Sequence, residues 1–291
     1  MKREMALSAL GHRWTENGHS SFTGELNRLF MKLDRLFLRW ASQCAAEEVT
    51  FPVMIQASEL AKLDYFRSFP HLATFACTLE PDAENLKAFT ADASLVGGAV
   101  PLTKTVPVRD VLTPAACYHI YIHNQGARLT APKYVTTRCT CFRREEYYRP
   151  LERQWGFNMR EIVCIGDSAT VKAFLASYRD RVQRFFARVG WPISWDMATD
   201  PFFDPTRNAK FLMQKLDPVK TEMVFEGGLS IGSLNFHRNF FGDTFCIESG
   251  GEPAFSGCVA FGVERWIFAF LQVFGSHPAE WPEVDSWEAL A

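Results

Sequence analysis

The chain has 291 residues, a formal net charge of −2 and 47% hydrophobic residues, 26 Phe and 8 Trp among them. That is ample for a sizeable core and too apolar for a disordered protein, while the near-neutral balance argues against a surface built to follow an extended nucleic-acid backbone. No apolar run approaches the roughly 18–20 residues of a membrane span, and no cleavage site follows the short apolar stretch Ala6–Leu10, so a cytoplasmic, reducing setting is expected.

Residues 22–45 place Leu26, Leu29, Phe30, Leu33, Phe37, Trp40 and Ala41 at i, i+3, i+4, i+7 spacing. This predicts an amphipathic helix whose stripe serves packing rather than a ligand. EVTFPVMIQ (48–56) reads as a strand whose pairing Pro52 limits, and short strands and turns follow to about Val108. PKYVTTRCTCFRRE (132–145) and NMREIVCIG (158–166) predict an antiparallel hairpin joined by the loop Glu146–Gly156. Cys139 and Cys141 would share one face of it as buried thiols. None of the eight cysteines forms a CxxC pair, so a zinc ribbon or thioredoxin-type site has no support. Asp167 or Ser168 caps the next helix and Gly190 closes it. Strands are expected around Thr221–Phe225, Ser230–Phe236 and Phe245–Glu248, then a glycine-rich strand-to-helix passage from Gly257 to Gly275 and an irregular tail. The order points to an α+β fold with a mainly antiparallel sheet flanked by helices.

Two clusters carry chemistry. Arg143 and Glu145 lie two apart on the expected strand and so share a face. A guanidinium fork matches phosphate oxygens, and a carboxylate beside it orients the fork or accepts from an amine. Across the loop, Phe157 offers a flat face to a base and Arg153 a charge to a terminal phosphate. The plain alternative is a salt-bridge ladder of Arg143 and Arg144 against Glu145 and Glu146, and local pattern alone does not decide. In the second cluster Gly250, Gly251, Gly257 and Gly262 permit close backbone approach, Arg265 opens a helix, and Glu248 is a candidate Mg²⁺ ligand. It is neither a Walker A motif nor a dinucleotide fingerprint. His119, His123 and His237 read as structural or solvent-facing, and Lys215 and Lys220 as surface charges.

Together the clusters resemble motifs 2 and 3 of the class II aminoacyl-tRNA synthetases. FRRE…RQWGF supplies Arg-x-Glu, a loop, then Arg and Phe on the return strand; GVERW supplies a glycine followed by an arginine at a helix start. The 22–45 helix with VTFPVMI resembles a degenerate motif 1, Pro52 standing in the proline place. FPVMIQASELAKLDYFRSFPH, LTPAACYHIY, DPVKTEMVF and SLNFHRNFFG narrow the likeness to the amino acid:[carrier protein] ligases, homologues of the catalytic core of the zinc-dependent seryl-tRNA synthetases of methanogens. The resemblance spans nearly the whole chain. It implies one catalytic domain over 1–291, with an extension to residue 21, a core over 22–275 and a tail over 276–291, and no tRNA-binding domain.

The resemblance further implies ATP-dependent activation of a small amino acid, glycine or alanine, and transfer to the phosphopantetheine thiol of a small carrier protein. It implies a homodimer through motif 1 and neither tRNA nor membrane as partner. Arg143 would hold the α-phosphate, Arg265 with Arg153 the outer phosphates, Phe157 and Arg265 the adenine from both sides, Glu145 its amino group and Glu248 the Mg²⁺. It alone unites Cys117, Glu161 and Cys258 as zinc ligands; taken singly, each cysteine reads as a buried thiol. Two thiolates, one carboxylate and an open position for the substrate amine form a catalytic zinc pattern. The alternatives are a minimal seryl-type tRNA synthetase and a synthetase-like binding module without catalysis.

Overall fold

Helix α1 (Gly24–Ser42) forms because its apolar stripe repeats with the helical period. It buries Leu26, Leu29, Phe30, Leu33, Leu36, Phe37, Trp40 and Ala41. The structure, a computed structural model, describes residues 2–91, 94–204 and 219–290. Among these, seven strands form the central sheet: β1 (Glu47–Glu48), β2 (Lys133–Phe142), β3 (Gly156–Gly166), β4 (Ile193–Ala198), β5 (Lys220–Phe225), β6 (Leu229–Arg238) and β7 (Phe255–Gly262). Their order is β4-β5-β6-β7-β3-β2-β1, antiparallel throughout except the short parallel pair β1–β2. Two further long helices complete the frame, α2 (Ser168–Val189) and α3 (Val263–Phe274).

The ends of α2 are set chemically. Asp167 accepts the Thr170 N–H at 2.9 Å, and Gly190 takes the left-handed closing position at φ 70°. The three long helices cover one sheet face. Phe37 of α1 stacks on Phe261 of β7 at 4.4 Å, Trp266 of α3 meets Phe37 edge-on at 4.8 Å, and Trp40 meets Phe185 of α2 at 5.1 Å. Such ring pairs stabilise by about 0.5–1.5 kcal/mol beyond area burial. Gly257 is required where α2 crosses β7: a Cβ there would lie 2.9 Å from Val171 Cγ1 and 2.9 Å from the Asn235 carbonyl. Leu7 and Leu10 from the N-terminal extension, and Val284 and Trp287 from the tail, join this core.

Three expectations change. Pro52, lacking an N–H, separates two short strands in different sheets, Glu47–Glu48 and Met54–Gln56, in place of one. The strand expected at Phe245–Glu248 is instead the end of a helix, Phe240–Phe245, followed by the two-residue strand Glu248–Ser249. The stretch to Val108 holds helices Ala57–Lys62, Tyr65–Ser68 and Ala83–Ala91 as well as strands. No helix among the described residues is long and apolar enough to cross a membrane.

Candidate active site

The sheet face away from the three long helices carries the site, and strand alternation selects its residues. On β3, Phe157, Met159 and Glu161 point to this face, while Arg160 and Ile162 point to the helices. Pairing sets Cys258 opposite Val163 and Ala260 opposite Glu161, so Glu161 and Cys258 are diagonal neighbours. Cys139 and Cys141 face the same way and pack against Met159 and Phe157, as buried thiols should. The third member, Cys117, arrives from the turn that starts helix Tyr118–His123, not from a strand. Its backbone N–H donates to Glu161 Oε1 at 3.2 Å.

Ligand atoms of Cys117, Glu161 and Cys258 lie within 4.8 Å of one another, and all three residues are buried. A tetrahedral zinc shell, with bonds of about 2.3 Å to sulfur and about 2.0 Å to oxygen, places its ligand atoms about 3.5 Å apart, within that bound. The electrostatics ask for a cation. Hydrogen bonding to Cys258, burial and the Glu161 charge hold the Cys117 thiol well above its ordinary pKa. No salt-bridge partner for Glu161 occurs among the described residues, and an unpaired buried carboxylate is costly. The donor set therefore fits zinc: a divalent ion would neutralise the carboxylate and convert both thiols to thiolates.

A cleft of about 560 Å³ opens above this triad and extends to the end of β2. Eight of the nine residues singled out from the sequence line it; Glu248 does not. Arg143 is the first residue beyond β2, so it and Glu145 follow the strand rather than belong to it. Its N–H continues the ladder to the Trp155 carbonyl at 2.9 Å, its Nε donates to the Pro114 carbonyl at 2.9 Å, and its guanidinium sits 5.2 Å from the Phe157 ring. Arg265, in the first turn of α3, is fixed by the carbonyls of Glu152 (2.8 Å) and Ser230 (2.7 Å). Burial first, then the charges of Arg143 and Arg153, push its pKa below the usual arginine value. Three guanidiniums converging in one cleft are mutually unfavourable until an anion joins them.

Arg153 is not free: it donates to Glu145 Oε2 at 2.6 Å, which replaces the ladder of Arg143 and Arg144 against Glu145 and Glu146. Arg144 instead bonds the Tyr148 hydroxyl at 2.9 Å. Glu248 is the correction: its two-residue strand pairs beside Arg128, whose Nε lies 3.3 Å from the exposed Glu248 carboxylate, outside the cleft. A carboxylate that does line the cleft and acts on Arg265 is Glu222 of β5, 3.1 Å from Lys220 Nζ. Lys220 is thus cleft-lining rather than a surface charge, and Lys215 lies outside the described residues.

Several further residues escaped the sequence reading. A lone Glu inside an apolar strand was the available signal for Glu222. Glu264, beside Arg265, is buried and accepts from Asn158 N–H and Nδ2 at 2.8–3.0 Å; burial raises its carboxyl to about 7. Tyr65 and Gln154 line the cleft, and the Tyr65 hydroxyl and Gln154 Oε1 are buried without a hydrogen-bond partner among the described residues. His119 is structural, stacked on Phe51 at 5.4 Å. His237 is not a bystander: it lines the cleft with Nε2 3.7 Å from Cys258 Sγ, and burial lowers its pKa to about 4, so the ring is neutral.

Comparison with known proteins identifies the fold and the family. Residues 109–274 match the tRNA synthetase class II core domain (G, H, P, S and T). The chain is 33% identical over 248 residues to amino acid–[acyl-carrier-protein] ligase 1 of Bradyrhizobium diazoefficiens, covering 82% of this chain and 75% of that one. It is 22% identical over 295 residues to the type-2 serine–tRNA ligase of Methanococcus maripaludis, 94% of this chain but 56% of that one. In structure it is similar to M. kandleri SerRS, solved in complex with A. aeolicus tRNASec, at TM-score 0.82 and 21% identity, over 98% of this chain and 59% of that one.

Proposed function

Because the chain belongs to the class II tRNA synthetase core family, and within it to the amino acid–[acyl-carrier-protein] ligases, we propose that it activates a small amino acid with ATP and loads it onto the phosphopantetheine thiol of a carrier protein. The protein is a ligase. One observation carries the finer reading: a single cleft on one sheet face joins three converging arginines to a buried Cys, Glu, Cys triad.

In the first step a carboxylate oxygen of the amino acid bonds to the α-phosphorus of ATP, and pyrophosphate departs. Arg143, held by its bond to the Pro114 carbonyl, stabilises the charge building on the α-phosphate. Arg265 holds the outer phosphates and covers the adenine that Phe157 supports from below. Glu145 and Arg153 must part for Glu145 to meet the adenine amino group and Arg153 the terminal phosphate. Glu222 replaces Glu248 as the candidate carboxylate for Mg²⁺. Cys117, Glu161 and Cys258 would hold a zinc ion, which would supply Lewis-acid binding of the substrate amine and so select substrates that have one. Tyr118, Phe241 and His237 wall the cleft beside the triad, which supports a small side chain. In the second step the carrier thiol attacks the acyl carbonyl, the thioester forms, and AMP leaves with its phosphate charge on Arg143. The protein acts as a homodimer without tRNA.

Amino-acid-dependent ATP–pyrophosphate exchange, run across the common amino acids with and without a zinc chelator, tests the first step. Mass spectrometry of a phosphopantetheinylated carrier tests the second. Exchange with glycine or alanine that chelation abolishes, and a carrier heavier by that residue, is the expected result. Loading of tRNA in place of the carrier, or nucleotide binding with no exchange by any amino acid, refutes the reading.

A further inference from the structure

Among the described residues, Cys258 is the triad cysteine whose sulfur meets side-chain nitrogens from the neighbouring strand. Asn235 pairs directly with it across β6 and β7 and donates Nδ2–H to its sulfur at 3.3 Å. His237 Nε2 lies 3.7 Å from the same sulfur. Its placement is built into the fold. The ladder slips between Phe236 and Arg238, so His237 sits in a bulge, and Arg238 beyond it takes φ 53°. A bulge beside a site re-aims one side chain. The ring is then fixed from behind: Nδ1 meets the Tyr121 hydroxyl at 3.0 Å and the Ser256 hydroxyl at 3.2 Å, and its plane stands edge-on to Phe241 at 5.0 Å. Tyr121 is itself stacked on Phe241 at 3.8 Å. If Nδ1 accepts from one of these hydroxyls, the ring's proton sits on Nε2, facing the sulfur.

We propose that Asn235 and His237 are positioning residues for the metal centre: they cap the Cys258 thiolate with two N–H donors, and the Tyr121–Ser256 pair holds the His237 tautomer that makes this possible. The inference rests on the zinc reading of the triad. A buried thiolate out of reach of water needs such donors. By drawing charge from the sulfur they also leave the ion more electron-poor and readier to accept a neutral amine. Outer partners of metal ligands fix ligand orientation, and losing one costs about 10–100-fold in metal affinity. His237 is not itself a ligand here, because the donor atoms within 4.8 Å of one another are those of Cys117, Glu161 and Cys258 alone among the described residues.

The test is zinc affinity, by competition with a chromophoric chelator, paired with the thiolate-to-metal charge-transfer band of the cobalt-substituted protein. Asn235→Ala and His237→Leu should each weaken zinc about 10–100-fold and shift the cobalt band. His237→Gln, which can return an N–H to the sulfur, should recover most of the loss. Tyr121→Phe removes one oxygen from a packed ring and should give a smaller loss in the same direction, which guards against misfolding of the histidine variants. Wild-type zinc binding with all four variants unchanged overturns this inference alone. A metal–nitrogen contact from His237 in X-ray absorption of the wild type also overturns it. A wild-type protein that binds no zinc overturns the metal reading and this inference with it.

Discussion

Glu264 gives the site a pH signature with a definite sign. Its carboxyl is buried in the first turn of α3, beside Arg265, and burial raises it from near 4.5 to about 7 against the pull of the Asn158 donors. At about 1.4 kcal/mol for each tenfold change in proton affinity, that displacement amounts to on the order of 3 kcal/mol. The folded protein holds this proton more tightly than the unfolded chain. The contribution is therefore fully present below pH 4.5, is lost as pH rises through 7, and is absent above. Glu264→Gln cannot ionise. Urea unfolding of both proteins at half-unit steps from pH 4.5 to 8 isolates the group, since all other titrations cancel in the difference. Relative to the variant, the wild type should lose on the order of 3 kcal/mol between pH 4.5 and 7 and then level off. Parallel curves over that range would refute the assignment of a desolvated carboxyl at this position.

Cys258→Ala leaves two metal ligands and should bind zinc at least a hundredfold more weakly and lose amino-acid-dependent exchange; full exchange by metal-free variant protein would sink the zinc role. Arg143→Ala should cost roughly 3 kcal/mol in kcat/KM for exchange, about a hundredfold, the scale of one preorganised charge contact, and an unchanged rate would remove Arg143 from the α-phosphate. Asp34→Ala strips the paired contacts, 2.9 and 3.0 Å, from the buried Arg160 guanidinium and leaves it only Glu48. Denaturant unfolding should show a loss of about 3 kcal/mol, and a change under 1 kcal/mol would mean that Glu48 suffices.

Much of this was legible because periodicity is local. The stripe in α1, the β2–β3 hairpin, the Asp167 and Gly190 caps and the β7-to-α3 passage each declare themselves within one continuous local stretch. The triad does not. Glu161 lies 44 positions beyond Cys117, and Cys258 comes from another strand again, so only a family likeness could gather them. Glu248 was misread for the opposite reason: a promising local context of glycines and a carboxylate sits on a two-residue strand whose partner, Arg128, turns it out of the cleft. His237 was undervalued because a bulge is a property of two strands in register, invisible in either alone.

The strand geometry also explains how one face can serve two chemistries. Phe157 and Glu161 are four residues apart on β3, about 13 Å at 3.3 Å per residue. Met159 lies between them on the same face, walled by Cys139 of β2 and paired with Gly262 of β7. With the proposed function, a base resting on Phe157 and an amine held at Glu161 would point their reacting ends, α-phosphate and carboxylate, toward the stretch over Met159. Arg143 is 5.2 Å from the Phe157 ring. Because the distance between anchors is fixed by a hydrogen-bonded strand rather than by loops, orientation of the two substrates is prepaid in folding. The motif 2 return strand is thus a ruler as well as a scaffold. Lengthening it by two residues between Phe157 and Glu161 would keep every side chain on its proper face while separating the substrates by about 7 Å. Such a protein should still bind zinc and nucleotide yet exchange no pyrophosphate.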